Sequence, residues 1–569
     1  MPAIRPWWTD GARRQATNVR HSGRPPRDEH ADVDCSGQRC GPGRYPDDVT
    51  DPQLAAAESL YLDARDAHDR AVIGDARGEG SPDLTATAEA AAGRARTALN
   101  ALHANGDRRT NPAWSADDTR AYDVMREWID GLNAAGAPAA VPGESWAATA
   151  ERGLDALSVR IADEYGRAQS EVDIGDVTVT RLGVLDRLAA EPDSRRRREL
   201  FFALDPTWQT IDADGGVASP YLRMLPLSAD RWSRRGSPVD RNAAALGISP
   251  ADVEPQLVAI LETWRDVIGA TRVQPWDWWY EAGATTRALR APVTRIHAIS
   301  DAYHASLGAD PRRLDVGFDL FPRGDRPLVP VAYTEFGGRP RRLPDGERVP
   351  ARPWVMAAYT GGGLGELTEL IHETGHAIHI AAIDTRPAFA DWPDSDAFTE
   401  GLAELTALDT AEPTWQHRWL GASVPEQVAI HDRYADVALD VCWALFEIRM
   451  HADPDQVPND VWTELTATYL GIAPHPEVSW WAMRGQLVQE PGYMVNYALG
   501  PIVAADLRAA IRHTRGDWVD GDPAWYEWLS DHVYRWGLER SSGAVFADVV
   551  GRPPTSDALL AEIRRARAR

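Results

Sequence analysis

Apolar residues recur three and four positions apart along most of the chain, interrupted by Gly- and Pro-rich breaks. From "DPQLAAAESLYLDARDAHDRAVIG" onward the intervening residues are mostly Ala, Glu and Arg, which a helix accommodates at little cost. The pattern predicts helices over 51–74, 82–104, 115–134, 144–168, 193–204 and 250–269. Several open on Ser, Asp or Thr, whose side chains accept from the free N–H groups of a first turn. The period changes at 314–360, where "LDVGFDLFPRGDRPLVPVAYTEFGGRPRRL" and "ARPWVMAAYTGGG" carry β-favouring runs bounded by Gly and Pro. A small sheet is expected there. Helical spacing resumes near 364 and continues to the end, with breaks near 391–394, 471–476 and 491. The expected class is therefore mainly α. Residues 1–48 have little apolar periodicity beyond Trp7-Trp8 and are expected to form a disordered leader. Residues 49–250 then read as a helical scaffold lobe and 251–569 as a second region, with the two lobes expected to be intertwined.

Composition narrows what such a body does. At 569 residues with 44% hydrophobic and 25% charged positions, the chain can bury a large core. No run approaches the roughly 18 apolar residues of a membrane span, and no signal-peptide core is seen, so a cytoplasmic protein is the expectation. A formal charge of −25 disfavours nucleic acid and acidic membrane surfaces as partners. Lysine is absent, so Schiff-base, pyridoxal-phosphate, P-loop and Ser-Lys chemistries are excluded. Cys442 lies in an apolar run and reads as a core residue. Cys35 and Cys40 lack the second half of a zinc site. The run Arg195–Arg198 reads as a solvated helix face.

The chemistry concentrates in "LGELTELIHETGHAIHIAAI", where His372, Glu373 and His376 form H-E-x-x-H within a helical pattern. Four residues rise about 6 Å along a helix and return to nearly the same face, so both imidazoles address one metal. Glu373 stands beside them as a general base for a zinc-activated water. Glu400 follows in "SDAFTEGLAELTAL", a second helix capped near Ser395 or Asp396, and is the candidate third ligand. Glu404, one turn further, is positioned to orient a ligand histidine. The donor set implies one Zn2+ per chain, with the fourth position open to water.

Further motifs stand in order along 270–505: "PWDWWY" at 275–280, "FDLFPR" at 318–323, "PWVMAAY" at 353–359, "HETGHAIH" at 372–379, "FTEGLAE" at 398–404 and "PGYMVNYALG" at 491–500. Through them the chain resembles the zinc oligopeptidases of the thimet oligopeptidase and oligoendopeptidase F group, and more distantly angiotensin-converting enzyme. The resemblance implies a two-lobed helical gluzincin-type peptidase, a small sheet beside the active-site helix, and a deep channel limiting substrates to short peptides. It assigns His372, His376 and Glu400 to zinc and Glu373 to the base, and places Tyr493 and Tyr497 in the segment that supplies transition-state phenols. A phenol donates to a developing oxyanion without carrying charge itself. The chain departs from the pattern at Thr374, where an aromatic or large apolar residue is common, and its tyrosine spacing fits the oligoendopeptidase form better.

The run ending in Ala357, Ala358 and Tyr359 is expected either to be an edge strand that pairs with an extended substrate or only to complete the small sheet, and the two can hold together. His379 and His475 read as packing and loop residues, and Asp277 and Arg323 as structural ties. The expected function is zinc-dependent hydrolysis of internal bonds in short peptides. The alternatives are an exopeptidase releasing di- or tripeptides and a non-catalytic peptide-binding relic, against which the presence of a general base argues.

Overall fold

The computed structural model describes residues 51–566 except 105–113, 135–142, 214, 270–271, 325–328, 330 and 343–346. The expected leader, with Cys35 and Cys40, lies outside the described residues. Ten helices and three strands suffice to place the site: α1 (Pro52–Ala76), α2 (Pro82–Ala104), α3 (Ala116–Ala134), α4 (Leu154–Ser170), α5 (Arg181–Ala190), α6 (Val293–Ser306), β1 (Gly317–Asp319), β2 (Tyr333–Phe336), β3 (Pro353–Met356), α7 (Gly363–Ala382), α8 (Asp396–Ala407), α9 (Glu426–Ala452) and α10 (Met494–Arg515). The architecture is mainly α, as the periodicity predicts. Local chemistry explains many boundaries. Asp51 caps α1 by accepting from Gln53 N–H at 2.9 Å, and Ser395 caps α8 by accepting from Phe398 N–H at 3.2 Å. The helix expected over 144–168 is two, Trp146–Glu151 and Leu154–Ser170, because Gly153 takes φ 104° between them.

A main hydrophobic core runs from Leu154 to Ala566, gathering α4 through α10 and crossing residue 250 without interruption. Its centre is aromatic, with Trp443 stacked on Trp462 at 4.9 Å and Trp480 edge-on to Trp462 at 4.8 Å. Cys442 is fully buried in it, as expected. A second core joins α1, α2 and α3 to Ala388 and Phe389, which lie between α7 and α8. Buried ion pairs fasten the same linker. Arg386 meets Glu58 and, at 3.2 Å, Asp118; Arg65 reaches Asp391 at 2.5 Å, and Arg339 reaches it at 3.3 Å. The amino-terminal helices thus hold the connection that sets α8 against α7.

The sheet has the order β1–β3–β2, with β1 parallel and β2 antiparallel to β3. The expectation that 353–359 forms an edge strand is therefore corrected. Residues 353–356 are the middle strand, with Val355 opposite both Phe318 and Thr334. Val355 and Met356 are fully buried, as apolar side chains of a doubly flanked strand should be. Pairing becomes one-sided only past Met356, where the N–H groups of Ala357 and Tyr359 bond to Asp319 and Leu320 at 2.9 and 2.8 Å.

The run Arg195–Arg198 also departs from a uniformly solvated face. Arg195 is exposed, but Arg197 turns inward to Asp277 at 2.8 Å and stacks on Tyr280. Helical spacing places it on the face that carries buried Leu200 and Phe201.

Candidate active site

Helices α7 and α8 cross at unusually close range because Gly375, inside H-E-T-G-H, faces α8. A Cβ there would lie 3.0 Å from the Ala403 carbonyl oxygen and 3.1 Å from both Ala403 Cα and Thr406 Oγ1. Gly401 makes a similar approach to α10, where a Cβ would meet Val503 at 2.7 Å. Thr374, the departure from the family pattern, is fully buried. Its hydroxyl donates to Leu370 C=O at 2.7 Å and meets Ser300 of α6 at 3.2 Å, so a polar contact replaces bulk. At the helix start, Glu366 accepts from the N–H groups of Thr360, Gly361 and Gly362 at 2.9, 3.0 and 2.6 Å.

This packing brings three side chains together. The Nε2 atoms of His372 and His376 are 3.1 Å apart, and Glu400 Oε2 lies 3.4 and 3.9 Å from them. One ligand atom from each of the three lies within 4.8 Å of the others. Two imidazole nitrogens and a carboxylate oxygen converging in this way, with all three side chains 10–20% exposed, could hold one metal ion. Glu404 Oε1 stands 3.2 Å from His372 Nδ1, and its other oxygen accepts from Arg433. Burial opposes a charge on His372, but Glu400 and Glu373 outweigh it and hold its pKa above the usual value.

Glu373 is buried beside the donors. Thr334 of β2, which sequence reasoning missed, donates to its Oε2 at 2.8 Å. Burial pushes the Glu373 carboxyl up to about 7, with His372 and the Thr334 bond pulling the other way. No local pattern marks Thr334; it joins the site only through the pairing of β2 with β3.

Tyr493 and Tyr497 approach from α10, their rings edge-on at 5.4 Å. The Tyr493 hydroxyl is 3.5 Å from Glu400 Oε1, whereas that of Tyr497 lies 3.5 Å from Gln486 Nε2. Burial raises both phenols above their usual pKa, so both remain proton donors. A second missed residue fixes this segment. Glu447 of α9, 1% exposed, accepts from Gly492 N–H at 2.7 Å and Met494 N–H at 3.0 Å. Gly492 at φ 91° followed by Tyr493 at φ −76° aims these N–H groups at the one carboxyl.

The remaining candidates fall outside the cluster. His379 packs on Tyr534 at 4.9 Å, and burial lowers its pKa to about 3. His475 is a loop residue between Glu477 and Gln274, at 2.7 and 2.8 Å. Asp277 accepts from Ser194 and Arg197. Arg323 ties Asp319 of β1 to the Arg77 carbonyl at the end of α1. No helix of the described residues is long and apolar enough to cross a membrane.

No family model matches the chain. No curated protein matches it by sequence. Solved structures do match. An M32 carboxypeptidase from Deinococcus radiodurans R1 superposes with TM-score 0.54 at 15% identity, covering 90% of this chain and 97% of that one. A protein assigned as oligoendopeptidase F gives 0.53 at 15%, covering 90% and 95%. PZ peptidase A, solved with an inhibitor, gives 0.54 at 14%, covering 90% and 96%. Agreement across nine-tenths of the chain at such low identity is agreement of fold, and this chain has the helical fold of those peptidases.

Proposed function

We propose that this chain is a zinc-dependent peptidase that hydrolyses bonds within short peptides. The observation that carries the reading is the convergence of His372, His376 and Glu400 within 4.8 Å of one another, with Glu373 buried at their side. The shared fold supports it but does not by itself specify a reaction. Bound at the three donors, zinc supplies Lewis-acid polarisation and lowers the pKa of water toward neutrality.

The chain's own residues have separable tasks. Glu404 accepts the Nδ1 proton of His372, fixing the tautomer that leaves Nε2 free as a donor. Glu373 takes a proton from the attacking water and passes it to the leaving amine, and the Thr334 hydroxyl holds the carboxylate in place. Tyr493, whose hydroxyl is the one near Glu400, donates to the oxyanion that develops on the scissile carbonyl. Tyr497 stands behind it.

Of Ala357, Ala358 and Tyr359, the first and last already bond to Asp319 and Leu320, which leaves Ala358 to hold the substrate backbone. Alternation along a strand turns the polar groups of Ala358 away from β1, toward the side that β2 has ceased to cover. An extended peptide can pair there. Metal analysis of the purified protein, with mass-spectrometric mapping of products from a mixed peptide library, tests the reading. About one zinc per chain and cleavage of short peptides are expected; full activity after complete zinc removal would refute it.

A further inference from the structure

Five arginines are buried among the described residues, and four face an acid. Arg65 meets Asp391 at 2.5 Å, Arg197 meets Asp277 at 2.8 Å, Arg508 meets Asp409 at 2.6 Å, and Arg339 pairs with Asp69. The fifth, Arg181, is 7% exposed and has no carboxylate within ion-pair distance. Its one hydrogen bond runs from Nε to Gln169 Oε1 at 3.4 Å. The two terminal nitrogens of its guanidinium, which present a planar donor fork, have no protein partner. A buried cation without a counter-charge is costly, and stable folds leave one in place only where something else compensates.

The position of Arg181 says where compensation comes from. It is the first residue of α5, whose backbone Thr180 fixes by accepting from Gly183 N–H at 3.1 Å. Its electrostatic neighbours are Tyr165, Arg484, Glu369 and Tyr497. Glu369 lies on α7 one turn before His372, and Tyr497 lies on α10 behind Tyr493, so the guanidinium borders the site described above. Arg484 cannot take its place, because Asp440 already neutralises it. Burial draws Arg181 below the usual arginine pKa; in Arg65, Arg339 and Arg508 the facing carboxylates outweigh the same burial. In a chain of net charge −25, an anionic group on a substrate needs a dedicated cation to be held.

We infer that Arg181 anchors a carboxylate of the bound peptide, a specificity that rests on the peptidase reading. A guanidinium fork matches a carboxylate in two parallel hydrogen bonds. The carboxylate comes either from the peptide's C-terminus, which sets cleavage at a fixed distance from that end, or from an Asp or Glu side chain.

Binding separates this inference from the reading it rests on. The probes are N-terminally fluorescein-labelled octapeptides of otherwise neutral sequence: a free acid, the matching C-terminal amide, and amides carrying one Glu at successive positions. Anisotropy is measured on zinc-loaded Glu373→Gln protein, with and without Arg181→Gln or Arg181→Lys. Arg181→Gln is expected to weaken the carboxylate-bearing probe by about 10- to 100-fold. The neutral amide is left unchanged, and Arg181→Lys recovers part of the loss. Because no acid is left unpaired, Tm in Arg181→Gln stays level or rises. A preference that follows the free terminus identifies the C-terminal source, and one that follows Glu identifies the side chain. Equal binding of all probes to both proteins would overturn the inference, whether or not the wild type cuts peptides. So would a fall in Tm without a carboxylate-dependent change in binding. Failure of the wild type to cleave any probe would count against the peptidase reading alone.

Discussion

Replacing Gly375 with Ala tests whether the close crossing of α7 and α8 builds the metal site. The added methyl would stand 3.0 Å from the Ala403 carbonyl oxygen and 3.1 Å from Ala403 Cα. Both are backbone atoms that cannot rotate away, so the helices must part by a few tenths of an ångström. Overpacking of this kind costs about 1–3 kcal/mol. Ligand distances to zinc tolerate only about 0.2 Å. Because Glu400 comes from α8 and both histidines from α7, the same displacement should weaken zinc on the order of tenfold, about 1.4 kcal/mol. Gly365 is the internal control. It is exposed on the same helix with nothing within 4 Å of an added Cβ, so Gly365→Ala should stabilise by about 0.5–1 kcal/mol through the unfolded state. Urea unfolding of the metal-free proteins gives the first quantity, and competition with a chromophoric chelator the second. A Gly375→Ala protein as stable as Gly365→Ala, with wild-type zinc affinity, would refute the packing argument.

Glu404→Gln leaves one acceptor oxygen for two donors, His372 and Arg433, and should weaken zinc by about 10- to 100-fold in the same competition assay; unchanged affinity would leave Glu404 no part in orienting His372. Tyr493→Phe should lower kcat by about a hundredfold with little change in KM, and Tyr497→Phe by less. A larger loss at Tyr497 in steady-state kinetics would reverse the assignment made from the 3.5 Å approach to Glu400. His379 has a folded-state pKa of about 3 against 6.5 for the free side chain, so between these values the unfolded chain binds the extra proton and stability falls as pH falls. Metal-free His379→Phe should therefore lose roughly 2–3 kcal/mol less than wild type between pH 7 and pH 4.5 in urea unfolding; equal losses would contradict it.

What the sequence disclosed and what it hid follow from the range of each interaction. His372, Glu373 and His376 are legible because helical spacing alone puts them on one face. Glu400 and Glu404 are legible because a capped helix after a short linker has few ways to return. The strand at 353–356 was readable as a strand but not as a middle one, since its neighbours come from 317–319 and 333–336 and pairing order leaves no local trace. Thr334 and Glu447 were invisible for the same reason, each acting on residues 39 and 45–47 positions away. The inward turn of Arg197 was masked by the charge of its neighbours. Arg181 carries no motif at all, and only the absence of an acidic partner in three dimensions distinguishes it.

The central claim is that Glu373 moves a proton at a zinc site built by its neighbours, and Glu373→Gln tests it most directly. The amide keeps the size of the side chain but cannot accept a proton from water. With wild type and variant both confirmed at about one zinc per chain, turnover of a fluorogenic octapeptide should fall by about 10²–10⁴-fold in the variant. Wild-type turnover in zinc-loaded Glu373→Gln protein would contradict the account.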